Sequence, residues 1–220
     1  MPETLISSNK PVIFLGSGHF SAENLTAALT ITSDVVAADG GANVALANRI
    51  IPLATIGDLD SIEQEALSKL NPDHVFKVSE QDSTDFEKCL LRVSAPLIIG
   101  VGFTGARLDH SLAAFSSLAK FSHRPCILLD EEDLVFHAPE HLVLDLPPNT
   151  RFSIFPLSMV TGTSKGLRWP IDGLALSPLD RIGTSNQTTD TKVELRFDTP
   201  GALVLVPKVF LTQVVQALLC

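Results

Sequence analysis

Between residues 11 and 130 the chain alternates short apolar runs with helix-forming stretches six times, and this alternation constrains its fold more than any other feature. Val12–Leu15, Val35–Ala38, the run from Pro52 to Ile56, residues 74–78, Pro96–Val101 and Cys126–Leu129 read as strands. Strands that alternate with helices in this way form a parallel sheet with right-handed crossovers. Local signals place several helix starts. Ser21 caps a helix over residues 22–30. Ser61 caps another, with Glu63 and Glu65 in its first turn. Thr84-Asp85-Phe86-Glu87 has capping-box spacing and opens a helix to about Val93. Asp109 begins a helix that runs to about Phe121.

After residue 131 the pattern changes. Residues 134–137, 142–144, 152–155, 193–197 and 202–206 are short and β-like, with Pro-, Gly-, Asn- and Thr-rich turns between them. They predict a small antiparallel domain of β-sandwich type. The expected division is an α/β, Rossmann-like domain over 1–131 and a β domain over 132–220. Residues 208–219 are mostly apolar and fit either a terminal helix or an extension of the last strand.

Asp39, Asp58, Asp60, Asp82, Asp85 and Asp109 each follow the C-terminal end of a predicted strand. In an open parallel sheet those ends share one edge, where ligands bind. Carboxylates crowded on a rigid edge repel one another unless a cation lies between them. Mg2+ suits such a place, because it takes hard oxygen ligands and completes its shell with water and substrate phosphates. Asp58 and Asp60 share one turn and can face one ion, with Asp85 as a third ligand. Backbone N–H groups at Gly40-Gly41 and Gly105-Ala106 can receive phosphate oxygens. Arg107 offers a planar fork for two more. His110, beside Asp109, reads as a group that holds Asp109 in place rather than one that transfers a proton. Acids, metal, glycine turns and one arginine together indicate phosphoryl-type transfer from a nucleotide.

Several classes are excluded or disfavoured. There is no GxxxxGK[ST] sequence, so this is not a P-loop enzyme, and no serine lies in a GxSxG elbow. Gly16-Ser17-Gly18 lacks the third glycine of a dinucleotide fingerprint and reads as a structural turn. A net charge of −9 without a basic stripe argues against nucleic-acid binding. No apolar run approaches the roughly 20 residues that cross a bilayer, so no membrane partner is expected. Three scattered cysteines without CxxC spacing, behind a short polar N-terminus, point to a reducing, cytoplasmic setting.

Six segments in order resemble thiamine pyrophosphokinase (thiamine diphosphokinase). They are Ala38-Asp39-Gly40-Gly41-Ala42-Asn43, Gly57-Asp58-Leu59-Asp60-Ser61, residues 81–88, residues 105–110, residues 166–171 and Thr184-Ser185-Asn186. The resemblance implies a homodimer that transfers a diphosphoryl group from ATP to the hydroxyl of thiamine, giving thiamine diphosphate and AMP. It implies that Asp58, Asp60 and Asp85 hold Mg2+. Gln81, Thr84, Arg107 and Asp109 then contact the phosphates or the metal shell, and Asp39, Gly40, Asn43, Asp82 and His110 complete the nucleotide region. Trp169, Ser185 and Asn186 form the thiamine end. Trp169 offers a π face to thiamine's pyrimidine or its cationic thiazolium, although by residue type alone it reads rather as a core aromatic of the β domain. Asp82 or Asp109 is available to accept the hydroxyl proton. Two positions depart from the family pattern: Ala106 replaces a second glycine before the arginine, and Ala114 replaces an asparagine. The competing readings are pyrophosphoryl transfer to another alcohol, such as a pterin hydroxymethyl group, and a non-catalytic thiamine or nucleotide sensor.

Overall fold

A computed structural model describes residues 3–105 and 107–220, and the chain divides into two compact units. Unit 1 comprises the chain to Ser117 together with Leu128–Glu131, and unit 2 comprises Leu118–Ile127 and Glu132–Cys220.

In unit 1 the order is β1 (Ile6–Ser7), β2 (Val12–Leu15), α1 (Ala22–Ile31), β3 (Val35–Ala38), α2 (Gly41–Ala47), β4 (Ala54–Gly57), α3 (Gln64–Lys69), β5 (Val75–Lys77), α4 (Asp85–Arg92), β6 (Val93–Ser94), β7 (Ile98–Val101), α5 (Leu108–Lys120) and β8 (Cys126–Leu129), the last of which straddles the unit boundary. The main sheet runs β8-β7-β2-β3-β4-β5, and β2–β3, β2–β7, β3–β4 and β4–β5 pair in parallel. β1 pairs with β6 in a separate two-stranded ribbon. β2, β3, β4 and β7 are buried along their whole length, as apolar runs without alternation require when helices cover both sheet faces.

Consecutive strands step outward from β2 to β5, and the chain then returns to place β7 on the other side of β2. Ligand crevices form at such a reversal. The loops leaving β2 and β7 cross closely there: a Cβ on Gly16 would lie 2.5 Å from the Gly102 carbonyl oxygen, and one on Gly18 would lie 2.6 Å from it. The Gly-Ser-Gly turn is thus required by close packing.

Helix starts follow the capping signals at two of three places. Ser21 accepts the Asn24 N–H at 3.2 Å and Thr84 accepts the Glu87 N–H at 3.2 Å. Ser61 does not cap. α3 begins only at Gln64, and the Ser61 hydroxyl donates to Asp60 at 2.9 Å.

Unit 2 contains β9 (Asp133–His137), β10 (His141–Asp145), β11 (Arg151–Pro156), β12 (Gly162–Lys165), β13 (Gly183–Gln187), β14 (Lys192–Phe197), β15 (Ala202–Pro207) and α6 (Leu211–Leu219). One antiparallel sheet has the order β13-β11-β15-β9 and a second has the order β10-β14-β12. The terminal apolar stretch is helical after a short 3-10 turn, and α6 packs against β10. Among the described residues no helix is long and apolar enough to cross a membrane.

Candidate active site

At the C-terminal ends of β3 and β4, carboxylate oxygens of Asp39, Asp58 and Asp60 lie within 4.8 Å of one another. The backbone enforces this convergence. Asp39 and Leu59 both adopt left-handed φ values, 45° and 68°, which are costly for non-glycine residues. A Cβ on Gly57 would meet the Asp39 Cβ at 2.6 Å, so only glycine lets the two turns approach. Asp39 is buried and accepts the Leu59 N–H at 2.8 Å. Asp58 accepts the Gln81 side-chain amide at 3.0 Å and the Asp60 N–H at 3.3 Å. The Gln81 bond, ahead of these other contacts, holds the Asp58 carboxyl below its ordinary pKa.

Asp85 lies outside this trio. It sits in the first turn of α4, where its carboxylate accepts the Lys88 ammonium at 3.0 Å. Lys88 also lies 3.7 Å from Asp58 and is buried. Burial pushes the Asp85 carboxyl up, and the Lys88 contact only partly offsets this. For Lys88, burial disfavours the charge, but Asp85, Asp58 and Glu80 together outweigh it and hold the ammonium protonated. Phe86 fixes the start of α4 by packing edge-on against Phe14 and, with centroids 4.7 Å apart, against Phe103.

The other expected site residues divide by what already engages them. Gly40 and Gly41 are buried, and a Cβ on Gly41 would meet the Leu15 carbonyl oxygen at 1.9 Å, so these glycines serve packing as well as phosphate approach. Asn43 is a staple: its amide donates to the Ser61 carbonyl at 2.9 Å and accepts the Glu63 N–H at 3.0 Å. Asp82 belongs to a loop ordered by Glu80, whose carboxylate accepts the N–H groups of Asp82 and Ser83 and the Ser83 hydroxyl. Arg107 grips Asp109 through Nε at 3.2 Å and Nη2 at 2.6 Å, with both side chains exposed. That contact holds the Asp109 carboxyl below its ordinary pKa, which makes Asp109 a weak proton acceptor in this state. Ala106, a proposed phosphate contact, lies outside the described residues.

Asp39, Asp58, Gln81, Thr84, Asp85, Arg107 and His110 line one cleft of about 460 Å3, together with Ser17, His19 and Lys88. Sequence reasoning missed these last three. His19 was legible only as the residue after the Gly-Ser-Gly turn. Lys88 entered only as the last residue of the 81–88 segment, on a helix where a lysine is ordinarily solvated.

Trp169, Ser185 and Asn186 line a pocket of about 320 Å3 within unit 2. Asn186 organises it. Its amide oxygen accepts the Trp169 N–H at 3.1 Å and its amide nitrogen donates to the Trp169 carbonyl at 2.7 Å. Ser185 has a left-handed φ of 61° beside a bulge in the β11–β13 pairing, and its N–H donates to Ser153 at 3.1 Å. Trp169 is 54% exposed, so it is not a core aromatic. The Arg168 guanidinium lies 4.9 Å from its ring centroid.

An open parallel sheet with an acid-lined crevice, followed by an antiparallel unit with an aromatic pocket, defines the class of architecture. Comparison with known proteins supplies the family. The thiamin pyrophosphokinase catalytic domain matches residues 27–129, and the thiamin pyrophosphokinase vitamin B1 binding domain matches residues 141–201. Thiamin pyrophosphokinase 1 of Caenorhabditis elegans is 31% identical over 181 residues, covering 73% of this chain and 74% of the relative. Thiamine pyrophosphokinase 1 of Arabidopsis thaliana is 25% identical over 196 residues, covering 73% of each. The solved thiamin pyrophosphokinase of Candida albicans shares the fold with a TM-score of 0.75 at 14% identity, over 94% of this chain and 97% of that one. The chain belongs to the thiamin pyrophosphokinase family, and is thus an enzyme.

Proposed function

We propose that this enzyme transfers a diphosphoryl group from ATP to the hydroxyl of thiamine, forming thiamine diphosphate and releasing AMP. The observation that carries the reading is the convergence of Asp39, Asp58 and Asp60 beside a cleft that Asp39, Asp58 and Arg107 line. Three hard oxygen donors from rigid turns fit Mg2+, and Asp39 joins Asp58 and Asp60 as a candidate ligand. Asp85, which gives one carboxylate oxygen to Lys88, stands as a further candidate ligand through its other oxygen. Bound there, Mg2+ would neutralise charge on the phosphates.

The chain's own residues supply the rest. Arg107 exchanges Asp109 for phosphate oxygens, a swap between two acceptors of the same fork geometry. Gln81 orients Asp58, and Thr84 keeps its hydroxyl hydrogen free while its oxygen caps α4. The thiamine oxygen bonds to the β-phosphorus as the bond to the departing AMP oxygen breaks, and the hydroxyl proton passes to solvent or to a carboxylate. Asp82 is available for that transfer, whereas the Arg107 contact lowers the basicity of Asp109.

The Trp169 pocket is our candidate for the acceptor. Arg181 lines it, Arg168 stacks on its tryptophan, and among the described residues no carboxylate does either. Two cations favour the neutral pyrimidine over the cationic thiazolium at this ring. We place unit 2 as the thiamine-binding and dimerising part of a homodimer, and unit 1 as the nucleotide-binding part. Free, buried Cys89 and Cys126 favour a cytoplasmic location.

The test is AMP release from ATP and Mg2+ with and without thiamine, with the product identified by mass. Thiamine-dependent AMP and a product heavier by one diphosphoryl group are expected. ADP or inorganic phosphate in place of AMP refutes the reading.

A further inference from the structure

Among the described residues only two charged side chains belong to buried residues, Asp39 and Lys88, and both lie at the acidic edge. Burying an ammonium is expensive, and a whole buried ion pair can often be replaced by apolar side chains without loss, whereas removing only one partner leaves the other charge uncompensated. The Lys88 position therefore uses the charge. Its Nζ reaches Asp85 at 3.0 Å and Asp58 at 3.7 Å, so it bridges a carboxylate of the converging trio and the one held apart from it. Glu80, the other acid in its field, is occupied by Ser83 and by the N–H groups of Asp82 and Ser83. With Lys88, the four carboxylates Asp39, Asp58, Asp60 and Asp85 carry a net charge of minus three in place of minus four.

We propose that Lys88 is a resident counter-cation that positions Asp58 and Asp85 when no metal is bound and weakens the edge's grip on free divalent cations, so that the ion arrives with the nucleotide phosphates. This inference rests on the Mg2+ reading above. It makes Lys88 a positioning residue with a readout that packing alone would not move. Deleting a packing residue loosens a metal site, whereas deleting a competing cation tightens it.

The experiment is a calorimetric Mg2+ titration of wild type, Lys88→Met and Lys88→Arg without nucleotide, paired with thermal melts in EDTA and in saturating Mg2+. Lys88→Met should bind Mg2+ at least about tenfold more tightly than wild type, and Lys88→Arg should stay within about threefold of it, because a like charge at short range opposes a divalent ion. Lys88→Met should also melt below wild type in EDTA, with most of the gap closing in Mg2+, since a ligand that binds only the folded state stabilises it. Unchanged or weaker Mg2+ binding by Lys88→Met, or an equal loss of melting temperature in both buffers, overturns the proposal. Should Lys88→Met fail to fold in EDTA, recovery of folding by Mg2+ supports it and failure in Mg2+ overturns it. Wild type that binds no Mg2+ with or without ATP removes the metal reading itself; wild-type binding with no gain in Lys88→Met removes only the role of Lys88.

Discussion

The acid edge of unit 1 and the Trp169 pocket of unit 2 are built on opposite plans. At the edge, charge does the organising. Carboxylates that follow β4, β5 and β7 are held by an amide, a buried ammonium and a guanidinium, and strained turns at Asp39 and Leu59 bring Asp39, Asp58 and Asp60 together. In the pocket a single neutral amide does it. Asn186 clamps the backbone on both sides of Trp169 and leaves the ring half open. A polyanionic ligand needs fixed, compensated charge, and a flat ring needs one oriented face. Substitutions in the two regions should therefore fail in different ways.

The largest expected effect is at the edge. Asp60→Asn should lower kcat by about 10³-fold through loss of transition-state charge stabilisation, while the exposed position keeps stability within about 0.5 kcal/mol. Near-normal turnover in a steady-state assay would remove Asp60 from the metal set. Arg107→Ala should cost about 10²-fold in kcat with thiamine affinity unchanged. Arg107→Lys should recover little of it, because the fork and not only the charge is used. A large loss of thiamine affinity in either Arg107 variant would break the contrast between the regions.

In the pocket the effect should appear in binding. Trp169→Ala should weaken thiamine binding about tenfold, the scale of a stacked or cation–π contact, and leave ATP binding unchanged. Equal losses for both ligands would make the tryptophan structural. Asn186→Ala should cost about 1–2 kcal/mol of stability by leaving buried partners unpaired, and its effect on thiamine binding should vanish in the Trp169→Ala background. Additive losses would mean that Asn186 touches the ligand directly.

How far the sequence could be read follows the same division. The α/β half was legible because β2, β3, β7 and β8 are uninterrupted apolar runs, whereas the two-residue strands β1 and β6 were not read; Cys126–Leu129 is a strand in both readings. β12 and β13 were not legible, because Gly-Thr-Ser-Lys and Gly-Thr-Ser-Asn-Gln have no apolar alternation and become strands by pairing with β14 and β11. Asp58 and Asp60 were visible as one turn. The approach of Asp39 was not, because it depends on two left-handed residues and one glycine from separate loops. Lys88 was invisible for a related reason, since helical position alone does not reveal that α4 lies against the sheet with its lysine inward.

The smallest effect expected separates the units by pH. Burial holds His137 below the ordinary histidine pKa, and its Nε2 accepts the Gly201 N–H at 2.9 Å. That acceptor exists only in the neutral ring. The unfolded chain binds the proton more readily than the folded one, so the stability tied to neutral His137 is complete above about pH 6.5 and is lost as pH falls below it. In unit 1, Asp58 and Asp109, both held below their ordinary pKa, remain ionised throughout that range. Between pH 7.5 and 5.5 unit 2 should therefore lose up to about 1 kcal/mol, the scale of one hydrogen bond, and hydrogen exchange, measured relative to the intrinsic rate at each pH, should rise around β9 and the Gly201 turn but not at the acid edge. His137→Gln should flatten that pH dependence. If exchange rises equally at Asp58 and at Gly201, the two regions soften together, and the contrast between a charge-built edge and an amide-built pocket does not extend to their stability.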